Sequence, residues 1–164
     1  MPSTPVHPYD AFDALLTEIV NYSTESRKTQ PTDSASCEQL LDSIGFTVSQ
    51  RLIDRAVKDH NRFASELDIV KYVCTDFWAS VFHKQVDTLK TNYQDMYVLF
   101  VSEFCLLERI ARGSQYSKEA TRYLAFPAGL LRGALCSLGL KCTVNVDCEK
   151  LPSCKFTIKV LRTS

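Results

Sequence analysis

Along the first half of the chain apolar residues recur every three or four positions, and along the second half every second position, which predicts helices first and strands later. From Tyr9 to about Ser23, Phe12, Leu15, Leu16, Ile19 and Val20 form the stripe of an amphipathic helix. Between Ser23 and Ser36 seven of fourteen residues are serine or threonine, and Pro31 and Asp33 break any period, so residues 23–36 are expected to form a mobile loop within a kinase's reach. Ser36 and Gln39 then make a capping-box pattern for a second helix, in which Leu40, Leu41, Ile44, Val48, Leu52 and Ala56 recur at helical spacing as far as about Lys58. Phe46, Ile53 and Val57 lie outside that row. Gly45 interrupts it at a cost of about 1 kcal/mol relative to alanine, which suggests a close backbone approach. Ser65 and Asp68 cap a third helix whose Leu67, Val70, Cys74, Phe77, Trp78, Val81 and Phe82 are the heaviest apolar load in the chain and predict its deepest element.

The period of two begins at Val86. Val86–Thr91, Met96–Val101 and Phe104 to about Glu108 are expected to form an antiparallel meander with short polar connections. Pro127 and Gly139 stand where a fourth helix, Pro127 to Leu138, would start and stop. Near the C-terminus Cys142, Val144, Val146 and Cys148 alternate with Thr143, Asn145 and Asp147, and Cys154, Phe156, Ile158 and Val160 alternate with Lys155, Thr157 and Lys159. That alternation suits a sheet with one face covered and one wet. Helices grouped before strands place the chain in the α+β class.

Composition narrows the class of function. In 164 residues, 19 basic and 19 acidic side chains balance, so a dedicated nucleic-acid binder is not expected. The balance is uneven along the chain: residues 1–60 carry a net −4 and residues 61–164 a net +4, an asymmetry able to orient a partner. Tyr123–Leu140 holds a single charge, Arg132, but a central arginine together with Pro127, Gly129 and Gly133 argues for a buried helix rather than a membrane span. Seven cysteines without a leader-like N-terminus suggest reduced thiols and a cytosolic setting, and Asn21-Tyr22-Ser23 is then a chance glycosylation match.

Candidate chemistry is sparse. Cys142, Cys148 and Cys154 are spaced by six and lack the close pair that zinc sites use, so they are expected in the core, as are Cys74 and Cys136. Cys37, near a helix N-terminus, has the setting that most favours a thiolate. His7, His60 and His83 stand in no catalytic motif, and no metal or cofactor is expected. Gly129 and Gly133 suit close packing of a helix on the sheet better than contact with phosphate.

Four blocks carry a resemblance. Gly45-Phe46-Thr47-Val48-Ser49-Gln50-Arg51-Leu52, Phe82 through Asn92, Phe126 through Leu135, and Leu151-Pro152-Ser153-Cys154-Lys155-Phe156 resemble, in order, the TRAPP (transport protein particle) small-subunit family, most closely its subunit 6 branch. The resemblance implies a twisted antiparallel sheet of about four strands covered on one face by about four helices. It implies one domain over residues 9–161, with tails at 1–8 and 162–164. It also implies a non-catalytic scaffold in a complex that tethers vesicles and activates a Rab-type GTPase between endoplasmic reticulum and Golgi. The chain would then be cytoplasmic, peripheral at the cis-Golgi and endoplasmic reticulum, and paired with subunit 3 through its N-terminal helices. On that basis, and on amphipathicity, the expected interface comprises Leu15, Ile19, Leu41, Ile44, Val48, Arg51 and Leu52. Subunit 3 relatives carry an acylated cysteine before the third helix, where this chain reads Asp59-His60-Asn61-Arg62-Phe63-Ala64-Ser65 without one. After Thr91-Asn92 the chain has Tyr93 and Gln94 in place of the family's small residues. The alternatives are a lipid-binding domain, which predicts an empty apolar channel, and an unrecognised enzyme, which predicts an adjacent nucleophile and base.

Overall fold

In the computed structural model the described residues are 8–26, 34–92, 94–107 and 117–162. The helices are α1 (Pro8–Glu25), α2 (Ser34–Ala56), α3 (Glu66–Tyr72) and α4 (Trp78–Phe82), the last two joined by a π-helical segment, Val73–Phe77, and then α5 (Ser117–Ser137). The strands are β1 (Thr88–Thr91), β2 (Met96–Val101), β3 (Cys142–Asp147) and β4 (Cys154–Val160), which form one antiparallel sheet in the order β1-β2-β4-β3. The chain leaves the sheet after β2, crosses it through α5 and returns at the far edge, so that β4 closes the gap between β2 and β3.

Alternation decides which face of the sheet is dry. Tyr97, Leu99 and Val101 of β2 stand opposite Ile158, Phe156 and Cys154 of β4, and all six are buried. Against them lies an aromatic cluster in which Trp78 packs on Phe82 (centroids 4.4 Å apart) and edge-on to Phe156 (5.4 Å), with Phe104 completing the group. The third helix is thus as deep as its apolar load predicts, and its start is capped as expected, with Asp68 N–H donating to Ser65 Oγ at 3.2 Å.

Several local expectations change, among them the cap at Ser36, which lies inside α2 because that helix begins at Ser34. The Ser/Thr-rich stretch is shorter than 23–36: α1 continues through Glu25 and α2 begins at Ser34, and only 27–33 lie outside the described residues. Phe104–Glu108 is no strand, because Phe104 donates its amide to Pro152 O and residues 105–107 make a helical turn that buries Leu106 and Leu107, while Glu108 lies outside the described residues. A short apolar run does not by itself separate strand from helix. Pro127 does not begin its helix but sits in the middle of α5, which starts at Ser117. Residues 124–131 are all buried there, and packing on both sides of α5 offsets the hydrogen bond that a proline cannot donate. The end of α5 is as expected. Gly139, at φ +95°, closes it with Gly139 N–H to Cys136 O and Leu140 N–H to Leu135 O, the paired bonds of a Schellman cap.

The helices form two layers. The aromatic cluster and α5 meet the sheet, and α2 packs along α5 rather than on strands. Gly45 makes the close approach expected of it: a Cβ there would lie 2.2 Å from Phe126 O. Gly129 and Gly133 answer from α5, where added Cβ atoms would lie 2.0 Å from Asp42 O and 2.1 Å from Ser49 Oγ. The close contact is therefore helix to helix, not helix to sheet. At its rim Arg132 bonds to the Asp42 carboxylate and lies over the Phe46 ring, 4.4 Å from its centroid. Both partners of the ion pair are partly exposed, so Asp42→Ala should lower stability by only about 0.5 to 1 kcal/mol, measured by thermal melting.

Candidate partner surface

Helix α1 has two apolar rows. Leu16, Val20 and Ser23 face inward, Val20 joining Cys37, Leu41 and Ala125 in a small buried cluster that ties α1 to α2 and α5. Phe12, Leu15, Ile19 and Tyr22 face outward, Leu15 being 61% exposed and Tyr22 74%. Helix α2 repeats the division: Leu41, Gly45, Ser49 and Ile53 are buried, whereas Leu40, Ile44, Val48 and Leu52, spaced by four, keep apolar surface open to solvent. Ile19 also packs on the buried cluster of Val20, Cys37, Leu41 and Ala125, so only part of it faces outward.

Of the seven expected interface residues, Leu15, Arg51 and Leu52 are exposed, and Ile19, Ile44 and Val48 are half-buried. Leu41 is not on this surface: it has no accessible area and belongs to the internal cluster. Ile44 and Val48 also lean on the main core, so only part of each faces outward. Phe12, Tyr22 and Leu40 complete the surface and were not expected, although their helical spacing to Leu15, Ile19 and Ile44 is visible in the sequence. Ile53, placed outside the main row by its spacing, is fully buried, and Val57 packs against the core.

Cys37, Cys74, Cys142 and Cys154 are buried, whereas Cys105, Cys136 and Cys148 are half-buried, so Cys136 and Cys148 lie less deep than expected. All seven cysteines are free, and Cys37 is buried with the Thr24 hydroxyl 3.9 Å from its sulfur. Burial pushes the Cys74 thiol up to about 12, Cys154 up to about 12 and Cys142 up to about 11, from an ordinary value of 9.0. In the folded chain these groups keep protons that an unfolded chain loses above its thiol pKa. Folding thus holds the extra protons, and stability is expected to fall as pH rises past about 8.5. Thermal melts from pH 7 to 10 should show that decline, and Cys154→Val should lessen its slope. In the stretch before the third helix, which lacks a cysteine, His60 stacks on Phe63 (centroids 4.5 Å apart) and meets Tyr72 edge-on (4.6 Å). Among the described residues no helix is long and apolar enough to cross a membrane, and no three His, Cys, Asp or Glu side chains gather as for a metal ion.

Residues 12–161 match the family model described as transport protein particle (TRAPP) component. The chain belongs to the TRAPP family. Trafficking protein particle complex subunit 6b of Danio rerio is 43% identical over 149 residues, covering 91% of this chain and 94% of that protein. Subunit 6B of Homo sapiens is 42% identical over the same length, and subunit 6A of Bos taurus is 47% identical over 121 residues, 74% of this chain and 76% of that one. These relatives place the TRAPP chain in the subunit 6 branch. Its fold is shared by a crystal structure of trafficking protein particle complex subunit 3 from Naegleria fowleri, covalently bound to palmitic acid, with a TM-score of 0.67 at 16% identity over 92% of this chain and 95% of that one.

Proposed function

We propose that this TRAPP chain is a non-catalytic assembly subunit, a single domain over residues 9–161 that pairs with subunit 3 through the outward rows of α1 and α2. In that role it supports a complex that exchanges nucleotide on a Rab-type GTPase and tethers vesicles between endoplasmic reticulum and Golgi, at the cytoplasmic side of the cis-Golgi and endoplasmic reticulum membranes. The observation that carries the reading is the pair of outward rows, Phe12, Leu15, Ile19 and Tyr22 on α1 and Leu40, Ile44, Val48 and Leu52 on α2, apolar surface that the described residues leave exposed or half-buried. Large apolar side chains left open in rows on neighbouring helices mark a site of association, and obligate interfaces commonly bury more than about 2,000 Å².

Size-exclusion chromatography with light scattering tests it. The isolated chain is expected to self-associate or to be less stable than the pair, and to form a one-to-one complex when mixed with a subunit 3 relative. A well-behaved monomer that ignores that relative defeats the reading, and so does nucleotide exchange on a Rab GTPase by this chain alone.

A further inference from the structure

The sheet has a second face, which the described helices leave open. Along β2 it presents Met96, Val98 and Phe100, three successive outward positions, with Phe100 42% exposed. Lysines flank this ridge. The register sets Thr88 and Lys155 on either side of Phe100, Lys90 and Thr157 on either side of Val98, and Lys159 beside Met96. Asp147 is the carboxylate that the register brings to this face, 3.8 Å from Lys155, while Lys90 and Lys159 are exposed and have no carboxylate partner among the described residues. Beside Phe100 a hollow of about 340 Å³ opens at the β3–β4 turn, bordered by Lys150 and Lys155 and also by the carboxylates of Asp147 and Glu149, so the unpaired positive charge of the face is concentrated at Lys90 and Lys159.

We propose that this face docks an acidic amphipathic helix of a partner protein. Adjacent strands lie about 4.8 Å apart, so the lysines of β1 and β4 stand about 10 Å from each other across β2, close to the width of one helix. The ridge from Met96 to Phe100 runs for about 13 Å, or about two and a half helical turns. A helix laid along it sets its apolar stripe on Met96, Val98 and Phe100 and offers carboxylates to Lys90 on one side and to Lys155 and Lys159 on the other. A lipid bilayer suits the face less well, because Met96 and Val98 are half-buried and Phe100 is the one exposed apolar side chain of the ridge. The site lies across the sheet from α1 and α2 and is independent of pairing with subunit 3.

The test uses the full chain and a fluorescent peptide of about 18 residues with leucines at helical i, i+3, i+4 and i+7 spacing and glutamates flanking them. A twin with lysines in place of the glutamates serves as the control. By anisotropy the glutamate peptide is expected to bind, the lysine twin at least about tenfold more weakly, and Lys90→Glu with Lys159→Glu to weaken the glutamate peptide by at least about tenfold. Amide shifts on binding should centre on Val98, Phe100, Thr157 and Lys159. The proposal is overturned if the glutamate peptide does not bind, if both peptides bind alike, if the shifts fall on α1 and α2, or if the chain binds phosphatidylserine vesicles and ignores the peptide. The doubly reversed chain should still pair with a subunit 3 relative, so failure of this docking and failure of that pairing are separate results.

Discussion

Gly129→Leu is expected to lower stability by about 3 kcal/mol, a fall in melting temperature of about 6 to 12 °C for a chain of this size. Even the first atom of a new side chain has no room. A Cβ at Gly129 would meet the Asp42 carbonyl oxygen at 2.0 Å, its carbon at 2.7 Å and its Cα at 2.8 Å, all backbone atoms of α2. No rotamer of a neighbour relieves that contact, so α2 and α5 must separate along the seam that holds the outer layer to the sheet. Gly133→Leu is expected to cost less, about 1 to 3 kcal/mol, because its nearest neighbour is the Ser49 hydroxyl, which can rotate, although Phe46 O still stands 2.5 Å away. Gly139 supplies the contrast: it has open space around it and a φ of +95°, so Gly139→Ala pays only for strain, about 1 kcal/mol. Equal melting temperatures for the Gly129 variant and the wild type would mean that the two helices are not in contact as described.

The same seam shows why one face of α2 was hard to see in the sequence. Strands β2, β3 and β4 follow from alternation, because a sheet with one dry face writes its burial directly into every second residue. Helix α2 inverts the usual signal. Its buried side carries Gly45 and Ser49, small residues that admit the backbone of α5, and its large apolar row, Leu40, Ile44, Val48 and Leu52, is the side left partly open. Counting apolar residues therefore puts Ile53 outside the main row, when it is among the most buried side chains in the chain. Leu41 lies off the exposed row for a related reason: one position from Leu40, it turns about 100° around the helix and into the cluster with Val20 and Cys37. The proline in α5 misled for a different cause. Local rules place it at a helix start, and only the packing of α5 between the sheet and α2, which no local pattern records, lets a helix run through it.

On the outward rows, Leu15→Asp is expected to weaken pairing with a subunit 3 relative by about 100-fold, equivalent to about 3 kcal/mol, by leaving an unpaired carboxylate in a dry contact. The position matters as much as the charge. Leu15 is 61% exposed in the single chain, so an aspartate there stays hydrated until a partner covers it, and the monomer's melting temperature should move by less than about 2 °C. Tyr22→Asp should behave in the same way, since Tyr22 is still more exposed. Ile44→Asp and Val48→Asp are expected to abolish pairing too, but they also strip packing from the main core and should destabilise the free chain. Leu41→Asp marks the far end of this series: with no exposed surface it should unfold the cluster that anchors α1, and any loss of pairing would follow from loss of the fold. Light scattering of each mixture, set beside the melting temperature of each free variant, separates the two effects. If Leu15→Asp and Tyr22→Asp pair as tightly as the wild type, the outward face of α1 lies outside the interface, and the pairing surface must be sought on α2 alone or elsewhere on the chain.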